Sequence, residues 1–331
     1  MLLAAGLLLV SAGFIYAACE YFVNGVEWVG RKIGVSQNAV GTVLAAFGTA
    51  LPESVVTFVA VVFGHDPATK SIGVGAALGG PLVLATIAYP VVGLMLWITR
   101  PEARRQPIDV NVQRLGRDQR WFLLIFLFKI ALGFVAFAIK PWLGWVFLAA
   151  YAVYTWMEIR HEDTHSEGEP EPLKFQPKKS LPSTALAVLQ TLLALAAIFA
   201  ASRVFVNQLA AVGPWLGIPS TVVALLLSPI ATELPETMNA VIWIRQGKHR
   251  LALANISGSM MIQATVPTAL GLFFTPWLFD RALAIAAGIT AFAVLGLAIS
   301  LRRNTLTPIR LALFAIFYLI FALGVLAPHP D

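Results

Sequence analysis

The sequence predicts an all-α integral membrane protein of about ten transmembrane helices, built as two inverted-topology five-helix repeats. Three observations carry this: an apolar composition, basic residues that alternate along the chain, and an internal repeat held in one register. Of the residues 58% are hydrophobic and only 12% charged, where soluble domains carry about 25% charged. The mean hydropathy is +0.79, and nothing shows the alternating pattern of a membrane barrel. One cysteine, Cys19, excludes an intrachain disulfide framework and a multi-cysteine metal site; it is expected to be a packing residue.

Charge, proline and glycine punctuate the chain into predicted spans at about 2–24, 35–64, 70–98, 119–138, 141–159, 182–206, 218–245, 250–277, 280–301 and 306–327. The first apolar run lacks the basic segment of a cleaved leader, so it is read as a span. The longest interruption mixes acids, bases and prolines and reads as a solvated loop. It gives a first repeat at 1–160, a cytoplasmic linker at 161–181 and a second repeat at 182–331.

Basic residues test this count. Of the 23 Lys and Arg, 18 fall in or beside the odd-numbered loops. Only Lys70, Lys129, Lys140, Arg203 and Arg281 lie elsewhere, so the positive-inside rule puts the odd loops in the cytoplasm and both termini outside. Because these residues sit in short loops, the +6 charge reads as orientation signal rather than as a nucleic-acid surface.

A constant offset of 183 residues matches Phe22, Val23, Asn24, Thr49, Leu51, Pro52 and Glu53 to Phe205, Val206, Asn207, Thr232, Leu234, Pro235 and Glu236. Five spans per half is an odd number, so the second copy must enter the membrane from the opposite side. Past the prolines the offset becomes 179, matching Gly75, Gly79 and Thr86 to Ala254, Gly258 and Thr265.

The repeated core is Gly48-Thr49-Ala50-Leu51-Pro52-Glu53 in one copy and Ala231-Thr232-Glu233-Leu234-Pro235-Glu236 in the other. Each proline removes one helical N–H bond, freeing the carbonyl of Gly48 or of Ala231. A freed carbonyl and an ionised carboxylate are both costly at bilayer depth, and a desolvated cation answers both. Hard cations take oxygen ligands, about six to eight for Ca2+. Glu53, Glu236, Glu233, Thr49, Thr232, Asn255, Ser259 and Gln263 supply such a set, with no histidine or cysteine in either motif.

These two cores resemble the Gly-Thr-Ser-Leu-Pro-Glu elements of the calcium/cation antiporter superfamily, which includes sodium/calcium exchangers. Ala254-Asn255-Ile256-Ser257-Gly258-Ser259 resembles that family's Gly-Asn-x-x-Gly-Ser element. The resemblance implies a multi-pass exchanger of the cell membrane that swaps Ca2+ for Na+ or H+ by alternating access, the first span of each half sliding across an ion-binding core. It maps the ligand glutamates to Glu53 and Glu236 and the threonines to Thr49 and Thr232. The expected partners are these inorganic cations and the lipid bilayer, with no nucleic acid, obligatory protein partner or cofactor.

Several positions depart from the family pattern. Ala50 and Glu233 stand where the family has serine, Gly80 where the second copy keeps Ser259, and Leu84 and Gln263 where exchangers place Asn or Asp. The first copy has thus lost most of its side-chain ligands. Glu233 and Glu236 lie three apart on one helical face, where two carboxylates do not both ionise easily, so a proton is an alternative coupling ion. Two alternatives stay open: a monovalent cation/proton antiporter, and an ion-binding sensor of the same fold that does not transport. Enzyme readings are weak, because every Asp falls in a loop or at a span edge and no Gly-x-Ser-Gly is present.

Other residues carry structural expectations. Glu20 is expected to pair with Arg203, Glu27 to be a solvated end residue, and Lys129 to snorkel. Asn24 and Asn207 are expected to bond between helices. Trp97, Trp121, Trp142, Trp145 and Trp277 read as interfacial anchors.

Overall fold

The computed structural model describes residues 2–63, 67–160, 169–212 and 226–327. Their helices fall into ten runs, with no strand among the described residues. Helix α1 is Leu2–Ile33, an unbroken apolar run that ends with Arg31 and Lys32 in its last turn, followed by Gly34 at φ +73. Ser36 caps the start of α2 by accepting from Ala39 N. This helix passes from Gln37–Ala39 through a π segment, Val40–Ala45, into Ala46–Val62. Helix α3 has the same composite form: Pro67–Val83, a π segment Leu84–Ala88, then Tyr89–Thr99.

Helix α4 (Val112–Gly133) starts where Asn111 caps Arg114 N, and α5 (Gly144–Arg160) follows a 3-10 turn at Lys140–Leu143. After the linker come α6 (Thr184–Val212), α7 in two pieces (Ser228–Thr232 and Leu234–Arg245) and α8 (His249–Phe274). Helix α9 (Arg281–Arg302) is capped by Asp280, and α10 runs as Pro308–Leu313 and Ala315–Leu326 behind Thr307. Among the described residues six stretches are long and apolar enough to cross a membrane: Gly6–Ile33, Gly73–Thr99, Thr184–Gln208, His249–Phe274, Arg281–Arg302 and Pro308–Leu326. The chain is a multi-pass membrane protein.

The residues group into two compact units, one of Met1–Thr49 with Met157–Ile256, the other of Ala50–Trp156 with Ser257–Asp331. In the first unit α1 packs along α6 and against the second piece of α7. Gly25 makes the α1–α6 approach possible, since a Cβ there would stand 2.6 Å from Thr191 Oγ1. The predicted solvated loop departs from expectation in its described part. Asn24 Nδ2 and Trp28 Nε1 both donate to the carbonyl of Glu171, Gln190 Nε2 donates to Asn24 Oδ1, and Leu173 is fully buried. Asn24 thus bonds as predicted between helices, while Asn207 is exposed.

Two further expectations are overturned in this unit. Glu27 is buried, with its carboxylate bonded to Lys248 Nζ and, at 2.8 Å, to Trp243 Nε1. Its position on the α1 face packed against α7 hides it where its place near a basic helix end suggested solvent. Glu20 pairs with Lys174 at 3.3 Å, and Arg203 lies instead over the Phe199 ring, because the linker brings a nearer cation.

In the second unit α9 packs against α3, α4 and α10, and the end of α3 lies against α10 at Gly93, where a Cβ would meet Ala312 N at 2.5 Å. Lys129 does not snorkel. It is fully buried and donates to the carbonyl of Ala77 at 2.7 Å, between the rings of Phe126 and Trp277. The cause is local: Pro81 inside α3 has no N–H for that carbonyl, so the ammonium replaces the missing backbone donor. Trp277 is likewise buried rather than interfacial, at φ 49, its ring over Gly271 and its Nε1 bonded to the carbonyl of Lys129.

Within each unit the loops sort by parity. In the first, Glu27 and Arg31 meet Lys248 and Glu169, and in the second Ile108 N bonds Leu306 O, all of them in or beside odd-numbered loops. Lys140 Nζ donates to the carbonyls of Pro276 and Trp277, joining two even-numbered ones.

Candidate functional site

The second copy of the repeated core forms a broken helix. The first piece of α7 stops at Thr232, Glu233 leaves helical geometry at φ −85, ψ 7, and Leu234 and Pro235 start the second piece. Thr232 Oγ1 donates back to the carbonyl of Pro229 at 3.1 Å, and Thr237 Oγ1 to that of Glu233 at 3.0 Å. In the first copy the backbone of Ala46–Val62 continues through residue 52 without a break. A proline in a long helix need remove only one bond, and here the irregularity lies upstream, in the π segment. The corresponding place in the second copy is also irregular, for Leu226 and Leu227, matched by register to Val43 and Leu44, are π-helical.

Glu236 projects from the first turn of the second piece and is 0% exposed. Neither of its carboxylate oxygens has a hydrogen-bond partner among the described residues, although the Thr49 side chain stands beside it. The Thr49 hydroxyl itself donates to the carbonyl of Ala45 at 3.1 Å, leaving its lone pairs as oxygen donors. Asn255 donates from Nδ2 to the backbone carbonyl of Glu236 at 3.3 Å, and its Oδ1 has no partner among the described residues. Glu233 is fully buried as well. From α1, the thiol of Cys19 approaches the carbonyl of Pro235 at 3.8 Å. Cys19 is buried, as expected of a packing residue.

Small residues hold these parts close. A Cβ on Gly48 would stand 2.9 Å from the Phe22 ring of α1. One on Gly41, in the π segment, would stand 2.9 Å from Leu251 O and 3.2 Å from Asn255 N. The second contact is with backbone, so Gly41 sets how near α2 comes to the start of α8.

Of the residues singled out in the sequence, the first unit brings together Glu236, Thr49 and Asn255, with Glu233 and Thr232 at the break. Ser259 and Gln263 belong to the second unit and continue the four-residue spacing of Asn255 along α8; both are buried, and Ser259 Oγ has no partner among the described residues. The side chain of Glu53 lies outside the described residues. One residue was missed. Asn239, one turn beyond Glu236, is fully buried with neither amide atom partnered among the described residues. Its signal was present as a carboxamide three residues from a glutamate in an apolar run, but the repeat hid it, since the register pairs it with Val56.

Among the described residues no three His, Cys, Asp or Glu side chains cluster. The chemistry on offer is instead a buried carboxylate with hydroxyl, carboxamide and carbonyl oxygens around a helix break. That donor set fits a hard cation or a proton.

Comparison with known proteins agrees with this chemistry. The chain is 24% identical over 305 residues to CaxA of Alkalimonas amylolytica, which carries an antiporter name, covering 91% of this chain and 89% of that one. It is 24% identical over 307 residues to the sodium/calcium exchanger MaX1 of Methanosarcina acetivorans, covering 81% and 82%. A solved structure of the sodium-calcium exchanger NCX_Mj shares the fold with a TM-score of 0.76 at 22% identity, over 98% of this chain and 99% of that one. The sodium/calcium exchanger protein family matches residues 3–160 and 186–327, nearly the whole chain apart from the linker region and a few residues at either end. A membrane chain with two proline-glutamate cores, a buried carboxylate at the helix break and a family match over both halves therefore belongs to the sodium/calcium exchanger protein family.

Proposed function

We propose that the protein is a secondary-active antiporter that exchanges Ca2+, or a related divalent cation, for Na+ or H+ by alternating access. The observation that carries this is Glu236: a fully buried carboxylate whose two oxygens have no partner among the described residues. A bare carboxylate costs several kcal/mol at such a place, so it is completed by a bound cation or by a proton in alternate steps of a cycle. Thr49, Asn255 and Glu233 supply further oxygens around it. Glu53, Thr232, Ser259 and Gln263 take ligand roles from their motif positions. Glu233, three residues from Glu236, is the group through which a proton competes with the cation.

The reading includes ten spans in two inverted repeats, 1–160 and 182–331 about the linker 161–181, in the cell membrane with both termini outside. It is supported by the separation of odd and even loops within each unit. The test is uptake of radiolabelled Ca2+ into proteoliposomes under an imposed Na+ gradient and, separately, an imposed pH gradient. Uptake under either gradient that Glu236→Gln and Glu53→Gln each abolish supports exchange, and the effective gradient identifies the coupling ion. Proton coupling predicts that Glu233→Gln flattens the pH dependence. Absence of Ca2+ flux under both gradients overturns the divalent reading in favour of monovalent cation/proton exchange or ion sensing.

A further inference from the structure

We propose that the cleft between the start of α4 and the end of α9 is a binding site for the headgroup of an anionic phospholipid. The cleft encloses about 400 Å³ and lies wholly within the second unit, lined by Arg120, Arg302, Gly116, Val112, Ala298 and Leu301. Arg120 and Arg302 are exposed, and neither guanidinium has a hydrogen bond or ion pair among the described residues. Arg117, on the same helix, lies 3.8 Å from Asp118. Two arginines without a partner among the described residues line one cleft, and a guanidinium can hold a phosphate through two parallel hydrogen bonds. The first turn of α4 brings the positive end of its dipole at Val112, while the last turn of α9 brings a negative end that Arg302 itself offsets, so the attraction for phosphate rests on the two arginines.

Apolar surface below the arginines identifies the source of that phosphate as lipid. Along α4 the helical spacing leads from Arg120 to Leu124 and Leu127, 69% and 53% exposed; along α9 it leads from Arg302 back to Leu295, 45% exposed. A free phosphate has no use for such stripes, whereas acyl chains descending from a headgroup lie along them. The loops flanking the cleft are joined by the bond from Ile108 N to Leu306 O. Both loops carry the arginines that the positive-inside rule assigns to the cytoplasmic leaflet, where anionic lipids present their charge. The space beside Gly116 is open, a Cβ there meeting nothing within 4 Å, so a large side chain at this position would occupy the cleft it lines.

Each basic residue at a membrane surface strengthens anionic lipid binding about fivefold, so removing both arginines is expected to weaken it about thirtyfold. The test is native mass spectrometry of the intact purified chain with phosphatidylglycerol or chain-matched phosphatidylcholine, alone and with millimolar inorganic phosphate. Wild type should retain phosphatidylglycerol over phosphatidylcholine. The R120Q/R302Q variant should lose that preference, and Gly116→Leu should lose it too with both charges in place. The charge-matched linker variant K178Q/K179Q should keep it. Unchanged retention in R120Q/R302Q, equal loss in K178Q/K179Q, or displacement by inorganic phosphate each overturns the proposal. These positions lie on the surface, and an unchanged melting temperature in detergent separates lost binding from lost folding.

Discussion

Replacing Lys129 with methionine tests whether the buried ammonium stands in for the backbone donor that Pro81 lacks. The lysine bonds Ala77 O at 2.7 Å and lies 5.2 Å from the Phe126 ring centre and 5.8 Å from that of Trp277. Methionine keeps the length and apolar stem but leaves the carbonyl bare, at a cost of about 1–3 kcal/mol for an unsatisfied buried acceptor. It also removes the ring contacts and the burden of a desolvated charge, so the single variant mixes three terms of different sign. A double-mutant cycle isolates the one of interest. Pro81→Ala restores an N–H four residues beyond Ala77, so the carbonyl no longer needs the ammonium, while the ring and desolvation contributions are the same in both backgrounds and cancel. Lys129→Met is therefore expected to cost about 1–3 kcal/mol more in the wild-type background than in Pro81→Ala. Equilibrium unfolding of the purified protein in lipid–detergent micelles, followed by tryptophan fluorescence, measures the four species. Additivity to within about 0.5 kcal/mol would refute the reasoning, because the two residues would then not share a partner.

Three more outcomes follow from the same geometry. Lys248→Met leaves the Glu27 carboxylate buried with Trp243 as its one remaining donor among the described residues, and should destabilise the protein by about 3–5 kcal/mol. Adding Glu27→Gln should recover most of that loss in the same unfolding assay. Gly41→Ala forces a methyl against Leu251 O and Asn255 N, and should cost about 1–3 kcal/mol together with a loss of cation uptake, whereas Gly75→Ala, where a Cβ meets nothing within 4 Å, should leave both intact. Asn239→Leu removes two amide atoms that have no partner among the described residues, one turn from Glu236, so stability should hold or rise while the concentration of Ca2+ for half-maximal uptake rises about tenfold; unchanged uptake would remove Asn239 from the site.

The sequence by itself determined the class of protein and the places where polar chemistry had to be found. Composition excludes a soluble domain, and each predicted range holds a described helix, because membrane solvent penalises every unpaired backbone group and makes helix the outcome for a long apolar run. The ends were less legible, since α1 runs on to Ile33, α4 starts already at Val112 and α6 reaches Val212, past the points where charge or glycine suggested a stop. The proline at 235 marked a real break, and the buried state of Glu236, Asn255, Ser259 and Gln263 follows from polar residues set in apolar runs. Only the tertiary structure decided which charges meet. Glu27 finds Lys248 and Glu20 finds Lys174, across more than 150 residues of chain, because helix packing, not sequence distance, sets those neighbours. Nor could local pattern show that Lys129 completes the carbonyl freed by Pro81, or that the helix carrying Pro52 stays continuous while its counterpart breaks. A proline states that one hydrogen bond is missing. What replaces it depends on which side chain the neighbouring helix brings to that depth.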